Sequence, residues 1–113
     1  MIKLGKIINE AYDKSEDYIT DGDVMNGKIK NINGFELDYD GMTGSVGWYS
    51  KKLDRGLWAT PNWDGNMGQI PFDDDDGNHF GTLDFSKSKY KGNKPLQLKL
   101  YYEAVKNATK KIK

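Results

Sequence analysis

Asp40-Gly41-Met42-Thr43-Gly44-Ser45-Val46-Gly47-Trp48 returns as Asp64-Gly65-Asn66-Met67-Gly68-Gln69-Ile70-Pro71-Phe72. Both read Asp-Gly-x-x-Gly-x-aliphatic-x-aromatic. With one residue inserted, Asp76-Gly77-Asn78-His79-Phe80-Gly81-Thr82-Leu83-Asp84-Phe85 follows the same pattern. Asp-Gly supplies the positive φ angles of a tight turn, and an aliphatic and an aromatic residue two apart share one side of a strand. The three copies start 24 and 12 residues apart, too irregular for a solenoid or propeller. They predict successive hairpins facing one core rather than a duplication. Upstream, Lys28-Ile29-Lys30-Asn31-Ile32 reads as a strand and Asn33-Gly34 as a two-residue hairpin turn. Phe35-Glu36-Leu37-Asp38-Tyr39 then alternates apolar and acidic, before Asp40-Gly41 turns the chain again.

The two ends follow a different period. Leu4, Ile7, Ile8, Ala11 and Tyr12 recur at helical spacing, predicting a helix that stops near Asp17 because Thr20-Asp21-Gly22-Asp23 is a turn cluster. Leu98, Tyr101, Val105, Ala108 and Ile112 form a second apolar stripe, with Lys99, Lys106, Lys110 and Lys111 outside it. Pro95 suits the first turn of that helix, with Asn93 or Lys94 before it. Leu96, Leu98 and Leu100 also alternate, so a short strand followed by a helix from about Tyr102 is the competing reading. The expected fold is α+β, a single domain over residues 1–113. An N-terminal helix leads into a central antiparallel twisted sheet or small open barrel of four to six strands, and a C-terminal amphipathic helix packs on it.

Composition narrows the function classes. The absence of cysteine excludes a disulfide scaffold, a zinc-thiolate site and a thiol nucleophile. Apolar runs are too short to span a membrane. The first fifteen residues carry charges throughout and lack the apolar core of a secretory signal, so a cytoplasmic location is expected. The formal net charge of 0 conceals a segregation. Residues 36–84 hold ten acids against Lys51, Lys52 and Arg55, whereas residues 85–113 hold nine lysines against Glu103. Either a basic helix lies on an acidic sheet and neutralises it, or each face seeks a partner of its own. Arg55 is the only arginine, and lysine lacks the planar fork that reads base edges, which argues against a sequence-specific nucleic-acid reader.

Three groups of residues could carry chemistry. The run Asp73-Asp74-Asp75-Asp76-Gly77-Asn78-His79 offers hard oxygen ligands, with Asp74, Asp76 and Asn78 the candidate calcium donors. It fails the calcium-loop template, because Gly77 at position 6 places Phe72 at position 1 and Leu83 at position 12. A solvated hairpin tip that keeps sheet edges apart is the simpler reading. His79, the only histidine, reads as a surface turn residue, since no nucleophile elbow, metalloprotease motif, phosphate loop or dinucleotide fingerprint accompanies it. Glu36, Asp38 and Asp40 share one strand face as glycosidase carboxylates could, but alternation explains the spacing and a chain this short offers little wall for a cleft. An enzyme is not expected, nor a cofactor. The third group is aromatic: Trp48, Tyr49, Trp58 and Trp63, residue types that dominate binding hot spots. Trp48 and Trp58 read as core fillers, and Trp63, between Asn62 and Asp64, as the exposed ring. Trp58 and Trp63 would face opposite sides of a regular strand, but Pro61 breaks it and lets both rings share a side.

Gly22-Asp23-Val24-Met25-Asn26-Gly27-Lys28-Ile29-Lys30-Asn31-Ile32-Asn33-Gly34-Phe35 resembles the first strands of an S1-type RNA-binding barrel, and the resemblance implies barrel-like β geometry. Gly44-Ser45-Val46-Gly47-Trp48-Tyr49-Ser50 departs from that family's histidine-containing strand, and the acidic middle segment opposes a phosphate-binding face.

The functional expectation is a small non-catalytic cytoplasmic protein acting through protein–protein contact, as a phage or mobile-element accessory or inhibitor protein does. Trp63, Tyr49 and Trp58 would anchor the partner, and Asp73, Asp74, Asp75 and Asp76 would complement a basic patch on it. The alternatives are a nucleic-acid-binding module using the lysine-rich C-terminal helix, and a small-ligand or glycan module with a calcium-binding acidic loop.

Overall fold

A computed structural model describes residues 17–65, 67–86 and 89–113. The N-terminal helix expected over the first sixteen residues lies outside them. Six strands follow one another in space as in sequence: β1 (Asn31–Ile32), β2 (Phe35–Asp40), β3 (Ser45–Ser50), β4 (Arg55–Trp58), β5 (Gln69–Asp74) and β6 (His79–Asp84), each antiparallel to the next. The helix α2 (Lys94–Lys111) lies in the concave side of this curled half-barrel and meets both edge strands, β1 and β6. The α+β expectation therefore holds, at the upper end of the expected strand number.

The three-fold repeat marks the turns before β3, β5 and β6, although of its Asp-Gly glycines only Gly65 and Gly77, and not Gly41, take the positive φ expected of them. Gly44, Gly68 and Gly81, the second glycines of the copies, all have positive φ. Of the paired positions after them, Val46 and Trp48, Ile70 and Phe72, and Phe85 are buried in the core, and Leu83 packs against it, partly buried. Asn33-Gly34 makes the expected turn, with both residues at positive φ (56° and 86°).

Local readings needed correction where a polar side chain organises the backbone. The Thr20–Asp23 cluster does not simply end a helix. It starts one, α1 (Asp21–Met25), because Thr20 Oγ1 accepts from the Asp23 N–H while the Asp23 carboxylate accepts from the Thr20 N–H. The strand expected over residues 28–32 shrinks to Asn31–Ile32, so the segment resembling an S1 barrel forms a short helix and a two-residue strand. Residues 96–101 are helical, not extended: Asn93 caps α2 by accepting from the Leu96 N–H, and Pro95 sits in the first turn.

Tyr101 occupies the centre of the core. Its hydroxyl accepts from Trp48 Nε1 at 3.0 Å and donates to the Ala59 carbonyl at 2.7 Å, joining helix, β3 and the end of β4. Burial drives its phenol pKa far above the ordinary value, opposed in small part by the Trp48 donor. Gln97, on the buried side of α2 where the stripe expected Leu98, accepts from the Ile19 N–H and donates to the carbonyls of Asp17 and Tyr90. Leu98 is only partly buried. This amide pins the segment entering α1 to the helix, and a fully satisfied buried polar group of this kind fixes one arrangement.

Candidate functional site

Alternation along the strands assigns every second residue to the face that α2 does not cover. The register sets Asp38, Gly47, Trp58, Asp73 and His79 in one row across β2 to β6. Glu36, Tyr49 and Gly56 form the next row. Each aromatic thus faces a glycine across the strand pair, Tyr49 opposite Gly56 and Trp58 opposite Gly47. A Cβ at Gly47 would stand 3.2 Å from two carbons of the Trp58 ring, so the indole lies directly on the backbone of β3. This covering of a strand glycine by a cross-strand aromatic offsets the loss of a side chain there. It also corrects the expectation for Trp58: Trp48 is buried on the concave side, whereas Trp58 lies on the convex side and is 41% exposed.

Trp58 is exposed but held. Its Nε1 donates to Asp75 Oδ1 at 3.0 Å, and Asp75 Oδ2 accepts from the Gly56 N–H at 2.8 Å. Only glycine leaves room for this carboxylate, because a Cβ at position 56 would fall 2.9 Å from Asp75 Oδ2. Beyond Trp58 strands β4 and β5 part, since they pair only at Leu57↔Asp74 and Trp58↔Asp73. Pro71, which has no N–H to offer a ladder, sits in the stretch of β5 without β4 pairs. The parting opens a cleft of about 210 Å³ lined by Ser45, Trp58, Thr60, Trp63, Pro71 and Asp73. Trp63 begins a short 3₁₀ turn (Trp63–Gly65) and lines the same cleft. Asn62 fixes that turn at φ 59°, a conformation asparagine tolerates. Its side chain donates to the Ile19 carbonyl and accepts from the Gly68 N–H. Both rings therefore share a side, as the break at Pro61 led one to expect.

The acidic run divides between the two faces. Asp73 Oδ1 lies 2.7 Å from His79 Nδ1 on the convex side, and Asp75 holds Trp58 there. Asp74 sits on the Leu57 side, where its carboxylate accepts from the Asn78 side chain and from the backbone N–H groups of Asn78 and Asp76. The Asn78 bond leads in lowering its pKa below the usual carboxylate value. Asp76 pairs with Arg55 at 2.7 Å. The candidate calcium donors Asp74, Asp76 and Asn78 are thus bound to one another and to Arg55 as a hairpin cap. Among the described residues no group of three or more histidines or carboxylates is placed to share a metal ion. Tyr49 lies half-buried beside Trp58, its hydroxyl donating to Asp54 at 2.6 Å, and this bond raises the phenol pKa.

Carboxylates dominate the charge of the convex face, with His79 beside Asp73. Glu36, Asp38, Asp40 and Asp73 project from its strands, and Asp75 joins them from the β5–β6 turn. The only lysine or arginine within the six strands is Arg55, in register with Ser50 on the concave side. The lysines Lys99, Lys106 and Lys110 are exposed on the side of α2 opposite the buried Gln97, Tyr101 and Val105. The ion pairs among the described residues, Arg55–Asp76, His79–Asp73, Lys91–Asp17 and Lys94–Asp23, include none between those lysines and the convex carboxylates. The sheet stands between those lysines and the convex carboxylates, whereas Asp74 and Asp76 line a cavity shared with Lys111 and Lys113 at the end of α2.

Of the residues singled out from sequence, Trp58, Trp63, Asp73, Asp75 and Tyr49 come together on this face, while Asp74 and Asp76 do not. Sequence reasoning missed Gly47 and Gly56 as the seat of the aromatics, and the joining of Glu36, Asp38 and Asp40 to the same surface. The acidic–apolar alternation of β2 carried the latter signal. No protein-family model, curated protein or solved structure searched matches this chain.

Proposed function

We propose that this chain is a non-catalytic protein-binding module that docks a basic surface of its partner against the convex face of its sheet. The observation that supports the reading is the coincidence, on one face, of two exposed tryptophans, Trp58 held by Asp75, with carboxylates around them and no strand lysine or arginine. A pre-positioned ring loses little entropy on binding, and such anchors dominate interface energetics. The surrounding charge accelerates encounter with a basic partner. A module of this kind works in the cytoplasm by covering its partner's surface, as a phage or mobile-element accessory or inhibitor protein does.

The test is capture from host lysate with two variants alongside the native chain. One carries Glu36→Gln, Asp38→Asn and Asp73→Asn; the other carries Lys99→Gln, Lys106→Gln and Lys110→Gln. The reading expects a protein retained by the native chain to be lost with the first variant and kept with the second. Loss only with the helix variant, or recovery of nucleic acid in place of protein, refutes it.

A further inference from the structure

We infer that the cleft between Trp58 and Trp63 is a receptor for a single arginine side chain of the partner; the inference rests on the docking reading above and names the chemistry at its centre. The cleft's about 210 Å³ is below the roughly 300–1,000 Å³ of pockets that enclose a free small-molecule ligand. It suits one long side chain entering from a larger surface. Its walls are the indole of Trp58, fixed by Asp75, and that of Trp63, positioned by the Asn62 turn. Its end carries the Asp73 carboxylate, of which Oδ1 engages His79 and Oδ2 makes no hydrogen bond among the described residues. Ser45 and Thr60 also line the cleft, with Ser45 Oγ accepting from Thr43 and the Thr60 hydroxyl bonded to the Val46 N–H and carbonyl.

This combination selects for a flat cation. A guanidinium stacks on indole faces and donates in its own plane to a carboxylate, whereas ammonium is compact and more strongly hydrated. A neutral sugar could stack on the same rings, but it would gain nothing from the anionic rim of Asp38 and Asp75 on the other side of Trp58. Charge complementarity therefore favours arginine over a glycan, and the planarity of guanidinium favours arginine over lysine.

The probes are four capped peptides, observed through the three indole N–H resonances and the backbone amides of the isotopically labelled full chain at low salt. Three are identical except for one central residue: arginine, its neutral isostere citrulline, or lysine. The fourth carries several arginines. The single-arginine peptide is expected to shift the Trp58 and Trp63 indole signals and leave that of buried Trp48 in place. Citrulline should bind at least about tenfold more weakly, a factor equal to about 1.4 kcal/mol, and lysine should fall between. Asp73→Asn and Trp63→Ala should each weaken the arginine peptide severalfold while the amide spectrum stays dispersed, which shows that the variant is folded. Equal binding of citrulline and arginine overturns the inference, as does a response to arginine that excludes both indoles. If the single-arginine peptide is silent but the arginine-rich one shifts the amides of β2 and β5, the cleft assignment fails and the docking reading stands. If neither peptide shifts a convex-face resonance, both fail.

Discussion

Asp75→Ala tests whether the exposed indole is held by the turn that follows β5. The Asp75 carboxylate accepts two bonds, one from Trp58 Nε1 at 3.0 Å and one from the Gly56 N–H at 2.8 Å. The two losses differ in cost. Trp58 is 41% exposed, so water replaces its acceptor at little net expense. Gly56 is buried, and an amide left there without its acceptor costs about 1–2 kcal/mol, the lower part of the range for an unsatisfied buried group, because the turn lets water approach. For a chain of this size that corresponds to a melting temperature lower by about 4–8 °C. The effect on Trp58 is expected to exceed the effect on stability. Without Asp75 the ring keeps its contact with Gly47 but loses the bond that sets its orientation. The backbone order parameter near Gly56 should stay at about 0.85, while that of the Trp58 indole N–H should fall toward about 0.6. Nuclear relaxation measured on both proteins, alongside thermal unfolding, decides the matter. An indole as ordered in Asp75→Ala as in the native chain would refute the claim that this carboxylate pre-positions the anchor.

Three further predictions address other parts of the molecule. Tyr101→Phe strands Trp48 Nε1 and the Ala59 carbonyl inside the core and should cost about 2–4 kcal/mol in chemical denaturation, with an unchanged denaturant slope. Asp74→Ala should destabilise the chain only where Asp74 is ionised. Because the folded-state pKa is lowered from 3.8, its stabilisation is complete above that value and is lost as pH falls through the lower folded value, so melting curves of native and variant should converge on acidification. Gly47→Ala should leave stability within about 1 kcal/mol, since alanine suits a strand better than glycine does. It should nevertheless displace the Trp58 ring by a few tenths of an ångström and change its indole resonance, because the new Cβ would stand 3.2 Å from the ring.

Those positions also show where the sequence was legible. Turn chemistry and period-two alternation carried the hairpins, the inward aliphatic–aromatic pairs and the acidic outer edge of β2, because each is decided by residues adjacent in the chain. The fate of Trp58 was not so decided. Its strand is four residues long, and its outward position depends on register with β3, where Gly47 leaves space for the ring. Likewise Gln97 looked like one polar residue in a helix, and its burial becomes intelligible only once the Ile19 N–H and the Asp17 carbonyl are brought beside it. The acidic run was legible as a turn but not as a divided one. Alternation along β5 sends Asp73 and Asp74 to opposite faces, and a run of like charges invites reading as a single patch.

The same division bears on the net charge of zero. A sheet and a helix packed face to face place their mid-planes about 10 Å apart, and outward side chains on each add several ångströms more. On these spacings the helix lysines and the convex carboxylates are about 20 Å apart through protein, and no ion pair links them among the described residues. Both sets of charges are exposed to solvent, and the path between them around the molecule is longer still, beyond the screening length of about 8 Å at physiological ionic strength. Around the convex face the potential is set mainly by that face's own carboxylates, so a chain of zero formal net charge still presents a negative surface there, opposite the exposed lysines of α2. A partner approaching the convex face meets Asp38, Asp73 and Asp75 without compensation from α2. Complex formation there should therefore slow with added salt as an interaction between opposite charges does, even though the whole molecule carries none.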